Sequence, residues 1–355
     1  MDPHIAGLLD GDRMPSGHSR RRRGERLSRR RMLLIAVAAV VLWGLIICAI
    51  LYFGDRFDHP QKENYGSLEG RFADPVTVEY EDQTFEYRGQ DFINVLLLGV
   101  DREAIDGSDP DVRGNGQADF LLLLSIDRER KTVTPVQLDR DTVTPVQIYG
   151  ALGNPAGFRN MQLCLSYAFG DSPKAGSENA AKAVSDLLGG IRIDHYLSMD
   201  MNGMAALNDA LGGITVTLNE DFSDLDPAMT KGTTLTLHGR QAEYFLRGRR
   251  YIGDGLNTSR MERQRAFMDE AVRVLTERMD ADTDYINHLL DELEPHLFTN
   301  TEKGVLANLA VSYGKYQRTD IRTVDGTHAV NEDGFMEFYP DPESMKALLL
   351  DMYFE

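Results

Sequence analysis

The chain has 355 residues, with 56 acids against 38 lysines and arginines, eight histidines, two cysteines and a formal net charge of −18. The acid surplus lies beyond residue 31, because residues 1–31 hold arginines at positions 13, 20–23, 26 and 29–31 against Asp2, Asp10, Asp12 and Glu25. A strongly acidic body excludes a nucleic-acid-binding domain, which needs a basic face, so no nucleic-acid partner is expected.

From residue 32 to residue 53 the sequence is apolar and uncharged and matches the roughly 20 residues that a bilayer-spanning helix requires. Arginines precede it, and Asp55 and Asp58 follow it. The positive-inside bias therefore predicts a single-pass signal anchor in the cell membrane, with a basic cytoplasmic tail at 1–31 and the remainder outside the cell. A cleaved leader would have a shorter apolar core ending in small residues, whereas this stretch ends in Leu51-Tyr52-Phe53. Of the two cysteines, Cys48 lies within the span and Cys164 beyond it, so the external part has no internal disulfide and depends on an ordinary apolar core.

Residues 54–90 are polar and broken by Gly and Pro, with alternating stretches at 76–80 and 84–87, and predict a stalk leading into edge strands. The continuous apolar run Phe92-Ile93-Asn94-Val95-Leu96-Leu97-Leu98-Gly99-Val100 predicts a buried strand, as do 120–126 and 132–138, which a polar turn at 127–131 joins. The loop at 101–119 is rich in glycine and acid. Beyond it come helical patterns at 177–188 and 201–211 and apolar strands at 191–199 and 214–218, with Gly189-Gly190 and Gly212-Gly213 as stops. Helices are expected at 283–293 and 301–313, a strand near Arg322, and a last helix opening at Asp341-Pro342-Glu343 with proline at its first position. Alternating strands and helices predict an α/β fold: a three-layer α/β/α domain with a central mixed sheet, preceded by one transmembrane helix. The boundaries expected are 54–90 for the stalk, 91–325 for the α/β domain and 326–355 for a C-terminal helix packed on it.

Three places carry chemistry. Between residues 240 and 265, Arg240, Arg247, Arg249, Arg250, Arg260, Arg263 and Arg265 face only Glu243, Asp254 and Glu262, a local positive surplus within an acidic chain. Arginine forks pair bidentately with phosphate or carboxylate. From Ser259 onward the segment is helical, and Arg260, Arg263, Gln264 and Phe267 share one face near its start, where free backbone N–H groups also favour anions. A solvated charged face is the plainer alternative. The second place is the pair Asp101 and Asp119, which end one core strand and begin another. Antiparallel neighbours would bring the two carboxylates together as hard oxygen ligands suited to Mg²⁺, although acids also simply terminate strands. The third is Arg140 within Asp139-Arg140-Asp141-Thr142, either anion-facing or locally paired. Neither a Ser/His/Asp set, nor metal-type histidine spacing, nor a GxxxxGK loop is present, and His195 and His238 read as structural.

These motifs together resemble the LytR-CpsA-Psr family of cell-envelope enzymes. The resemblance rests on Asn94 to Arg102, Gly116-Gln117-Ala118-Asp119, Arg140-Asp141-Thr142, Gly212-Gly213-Ile214-Thr215-Val216, and Arg247-x-Arg249 followed by Asp254, Arg260 and Arg263-Gln264-Arg265. It implies transfer of an anionic glycopolymer from a polyprenyl-diphosphate carrier to peptidoglycan, aided by Mg²⁺ or Mn²⁺. It further implies that Asp101 and Asp119 hold the metal, and that Arg102, Gln117, Arg140, Arg247, Arg249, Arg260, Arg263 and Gln264 surround the diphosphate. Asp101, Arg140, Asp141 and Arg249 would be catalytic, with Asp101 or Asp141 taking the acceptor's proton. The partners implied are the polyprenyl-diphosphate-linked glycopolymer, the peptidoglycan acceptor and the lipid bilayer, with Leu122, Leu124, Met268, Ala271, Val272 and Leu275 as candidates to line a lipid channel. Many members carry Arg-Ser-Asp-Thr where this chain has Gln117-Ala118-Asp119-Phe120, so an amide replaces one arginine here, with Arg113 nearby as a substitute. Two other functions fit the same residues: a membrane-anchored lipid-diphosphate sensor signalling through the basic tail, and a pyrophosphate hydrolase with water as acceptor.

Overall fold

The structure, a computed structural model, describes residues 77–80, 83–102, 105, 116–149, 155–248 and 257–355. The basic tail, the expected membrane span at 32–53, most of the stalk, and the side chains of Arg113 and Arg249 lie outside the described residues. Among the described residues no helix is long and apolar enough to cross a membrane.

The strands are β1 (Thr77–Tyr80), β2 (Gln83–Glu86), β3 (Phe92–Val100), β4 (Ala118–Asp127), β5 (Thr132–Leu138), β6 (Val143–Tyr149), β7 (Pro155–Gln162), β8 (His195–Met199), β9 (Ile214–Thr217), β10 (Thr234–Leu237), β11 (Leu297–Thr299), β12 (Gln317–Arg318), β13 (Gly326–Val330) and β14 (Met336–Pro340). The helices among the described residues are α1 (Leu165–Ala168), α2 (Pro173–Leu187), α3 (Met201–Ala210), α4 (Arg240–Arg247), α5 (Asn257–Ala281), α6 (Tyr285–Leu293), α7 (Lys303–Tyr313) and α8 (Pro342–Tyr353). This is a mixed α/β fold around a mixed six-stranded sheet of order β11-β8-β3-β4-β5-β12. The β3-β4-β5 meander is antiparallel, while β8 runs parallel to β3 and β12 parallel to β5.

Alternation along the central strands decides which residues meet the helices. Leu96 and Leu98 of β3 pair with Leu123 and Leu121 of β4, and these share one core with Ala180 and Val184 of α2 and Leu348 and Met352 of α8. At the end of that face a buried polar cluster joins three elements. The Tyr353 hydroxyl donates to Asn94 Oδ1 at 2.9 Å, and Ser125 Oγ lies 2.8 Å from the same oxygen and 2.9 Å from Tyr353 Oη. Burial pushes the Tyr353 hydroxyl well above its ordinary pKa, which keeps it a neutral donor. Tyr353→Phe would leave Asn94 and Ser125 short of a partner in the core, so a loss of about 1–2 kcal/mol is expected in denaturant unfolding. An unchanged midpoint would show that α8 is held by its apolar contacts alone.

Several elements follow from local chemistry. Ser172 caps α2 by accepting from Ala175 N at 3.2 Å, with Pro173 in the first turn. Asp341 caps α8 in the same way through Ser344 N at 2.8 Å. Gly189, Gly190, Gly212 and Gly213 all have positive φ, which accounts for the helix stops. The strand expected at 214–218 is β9, whereas its partner β10 and the hairpins β6-β7 and β13-β14 are elements that hydrophobic periodicity does not announce. β7, in particular, is exposed over most of its length and so carries no apolar alternation.

Candidate functional site

β3 and β4 end together, and their last turn contains an irregularity that sequence reading does not foresee. Gly99 pairs with Phe120 and Val100 with Ala118, leaving Asp119 as the extra residue of a bulge. A bulge bends its strand and re-aims one side chain, and here that side chain is a carboxylate. Asp101 N donates to Gln117 O at 2.8 Å, which fixes the start of the 101–119 loop against the start of β4. Asp101 is pushed above its ordinary carboxyl range. Burial is the largest cause, Arg247 opposes it, and the charge of Asp119 adds to the rise. The negative charge of Asp119 is thus felt at Asp101.

Arginines meet these acids from three elements. Arg140, in the turn after β5, bonds Asp119 Oδ1 through Nη1, and its Nη2 donates to Gln117 Oε1 at 2.5 Å and to Cys164 Sγ at 3.0 Å. Its Nε is 3.3 Å from Asp141 Oδ1. Arg260 of α5 reaches Asp119 Oδ2 at 3.3 Å and donates to Asn257 Oδ1 at 2.5 Å. Arg247, the last residue of α4, bonds Asp101 Oδ1 and lies 3.1 Å from Glu243 Oε1. Arg140, Arg247, Arg260, Gln117, Asp101, Asp119 and Asp141 are thus assembled around the end of β3 and β4. In this arrangement the forks neutralise the carboxylates of Asp101 and Asp119.

Arg263 and Gln264, expected to touch the diphosphate, hold the scaffold instead. Arg263 is 2% exposed, its Nε donates to Phe245 O at 2.8 Å, its two terminal nitrogens bond Gly248 O and Glu220, and it lies over the Phe222 ring. Gln264 Nε2 reaches Leu246 O at 3.5 Å. The final carbonyls of a helix lack intrahelical partners, and these two side chains supply them for α4, fixing the turn that presents Arg247. Arg102 is buried beneath Gly116, whose φ is 76° and where an added Cβ would stand 2.6 Å from Arg102 Cγ, so the position leaves no room for a side chain. Of the residues suggested for a lipid channel, Ala271 is buried in the core of α4, α5, β9 and β10, and Leu275 packs against it.

Cys164 was not read as part of the site, and no local signal marks it. Its backbone joins the two halves, since its carbonyl accepts from Ala118 N at 3.1 Å and its N–H donates to Arg140 O at 3.0 Å. Burial pushes its thiol up to about 11, so it is a neutral acceptor for Arg140 at neutral pH. His195, read as structural, meets Thr301 Oγ1 at 2.7 Å, far along the sheet from these acids in sequence and on the β8 side.

The model of the LytR_cpsA_psr family matches residues 67–351. The chain belongs to the LytR_cpsA_psr family. Biofilm regulatory protein A of Streptococcus mutans is 29% identical over 216 residues, 59% of this chain and 50% of that protein, so the chain spans half of that relative's length. The polyisoprenyl-teichoic acid–peptidoglycan teichoic acid transferase TagU of Halalkalibacterium halodurans is 26% identical over 240 residues, 68% of this chain and 71% of that one. Among solved structures, protein gbs0355 from Streptococcus agalactiae is similar with a TM-score of 0.60 at 24% identity, over 74% of this chain and 87% of the other, which shows a shared fold. The LytR_cpsA_psr match covers the arginine and aspartate cluster from end to end.

Proposed function

We infer that this member of the family transfers an anionic glycopolymer from a polyprenyl-diphosphate carrier to a hydroxyl of peptidoglycan. The observation that carries this reading is the convergence of Arg140, Arg247 and Arg260 on Asp101 and Asp119, supported by the transferase relative. Phosphoryl transfer needs little from a protein beyond positioning and charge neutralisation, which such a cluster provides. Among the described residues no group of three or more histidines, cysteines or acids could hold a metal. Two carboxylates do fit Mg²⁺ or Mn²⁺, whose remaining ligands come from water and substrate phosphates. When bound, such an ion would polarise the phosphoryl oxygens beside Asp101 and Asp119.

The reaction forms a bond between the acceptor oxygen and the sugar-linked phosphorus and breaks the bond from that phosphorus to the bridging oxygen, releasing polyprenyl phosphate. Of the two acids available for the acceptor's proton, the Asp101 side chain is 41% exposed and that of Asp141 only 3%. An incoming hydroxyl therefore reaches Asp101, while Asp141 holds Arg140 in place. We read the fold as three layers, with α5 over the sheet face opposite α2 and α8 and the lipid tail between α5 and half-buried Leu97 and Leu124. The uncharged stretch at 32–53 would anchor the chain beside its lipid substrate, with the domain outside the cell.

The test uses full-length protein in detergent, a radiolabelled lipid-linked glycopolymer and peptidoglycan. Label should pass to peptidoglycan, and chelation of divalent cations or Asp101→Asn should lower the rate by roughly 10²-fold or more. Cleavage of the donor at the same rate with and without peptidoglycan would replace this reading with that of a hydrolase.

A further inference from the structure

A cavity with mixed polar and apolar walls lies outside the arginine cluster. It is a cavity of about 140 Å³ between the end of β5, the start of α5 and the β13-β14 hairpin, with Gln137, Asp139, Thr258, Arg265, His328 and Phe338 in its walls. That is well above the roughly 10–15 Å³ one water needs. Gln137 is 2% exposed and donates to Gln264 Oε1 at 3.1 Å, yet its own buried Oε1 accepts no hydrogen bond among the described residues. A buried acceptor without a donor costs stability unless something brings that donor. His328 Nε2 is 2.9 Å from Asp139 Oδ2, an arrangement that fixes the ring and leaves its other nitrogen for a further partner. The Arg265 guanidinium has no hydrogen bond or ion pair among the described residues. Phe338 supplies an aromatic wall, stacked obliquely on His328 with centroids 4.8 Å apart.

We propose that this cavity is a subsite for a hydroxylated sugar ring. A ring bearing several hydroxyls supplies the donor that Gln137 Oε1 lacks, can donate to or accept from the free ring nitrogen of His328, offers oxygens to Arg265 and lays an apolar face on Phe338, which is the usual make-up of a pocket for a polar small molecule. The cavity also adjoins the reacting centre through one chain of bonds. Asn257 donates to Asp139 Oδ1 at 2.6 Å and accepts from Arg260 at 2.5 Å, and Arg260 is the residue 3.3 Å from Asp119. A ring seated here is therefore coupled to the group that neutralises the diphosphate. The assignment of that ring to a substrate rests on the transferase reading; the chemistry of the pocket does not. Two substrates carry such rings, the peptidoglycan acceptor and the first sugars of the lipid-linked donor.

The experiment uses full-length protein in detergent. His328→Ala and Arg265→Gln sit at partly exposed positions, and their melting temperatures serve as the check on folding. Binding of a peptidoglycan disaccharide is read by saturation-transfer NMR, and transfer is measured with acceptor and donor varied separately. The expected result is NMR contact with the ring that both variants weaken, and a rise of about tenfold in the KM for one substrate with little change in kcat. A rise for the acceptor places peptidoglycan in the cavity, a rise for the donor places the glycopolymer's sugar there, and both uphold a sugar subsite. Unchanged KM values for both substrates, together with unaltered disaccharide binding in both folded variants, would overturn it. Absence of transfer in the unmodified protein with disaccharide binding intact would instead count against the transferase reading while upholding the subsite.

Discussion

Arg140→Ala is expected to lower glycopolymer transfer by roughly 10³-fold or more, the range seen when a charged group that meets a developing phosphoryl charge is removed. No other side chain in the cluster touches as many of its members: Asp119, Gln117, Cys164 and Asp141 are all bound to this one guanidinium. Its loss also takes from Asp141, 2% exposed, the guanidinium that lies 3.3 Å away, so the variant should lose about 3 kcal/mol of stability as well. Arg140→Lys separates the two effects. Lysine keeps the positive charge but lacks the planar fork that spans Asp119 and Gln117, so thermal stability should recover further than activity. Steady-state transfer and thermal melting of both variants are the measurements. An Arg140→Lys protein as active as the unmodified one would show that the site needs only a nearby charge.

Arg263 and Arg247 lie in the same arginine-rich segment and should separate cleanly. Arg263→Ala removes a buried guanidinium that pairs with partly buried Glu220 and bonds two carbonyls of the α4 terminus, leaving that acid and those carbonyls without it. The expected cost is about 3–5 kcal/mol, seen as a fall in Tm of roughly 10 °C. Arg247→Ala removes a side chain that is 39% exposed and pairs with two partly exposed acids, so its Tm should move little, since such pairs contribute at most about 1 kcal/mol. Its rate, by contrast, should fall by about 10²-fold or more if it grips the diphosphate. Calorimetry beside a transfer assay decides the matter. Equal losses of stability in the two variants would remove the distinction between a gripping and a scaffolding arginine.

Much of the sheet could be read from the chain because its central strands are buried on both faces. The apolar run Phe92–Val100 and the run Thr132–Leu138 coincide with β3 and β5, and the strand expected at 120–126 lies within β4. The helix beginning near Ser259 and the one opened by Asp341-Pro342 were legible from period and capping. Exposed hairpins such as β6-β7 were not, because neither face of such a ribbon must be apolar.

By itself, the sequence determined that an acidic α/β body follows a basic tail and an uncharged stretch, that one aspartate ends a core strand and another begins the next, and that arginines gather in one segment. These are properties of composition, period and spacing, which local chemistry obeys. Only the tertiary structure decided which arginines face the acids. Arg260 and Arg263 are three residues apart on one helix face, yet one meets Asp119 and the other is enclosed by Glu220 and the end of α4. Residues that close along a helix differ in what is packed against them, and that depends on contacts from distant parts of the chain. The same reason hid the bulge that turns Asp119 toward Arg140 and the buried thiol of Cys164, since each acquires its role from strands and turns brought together by folding.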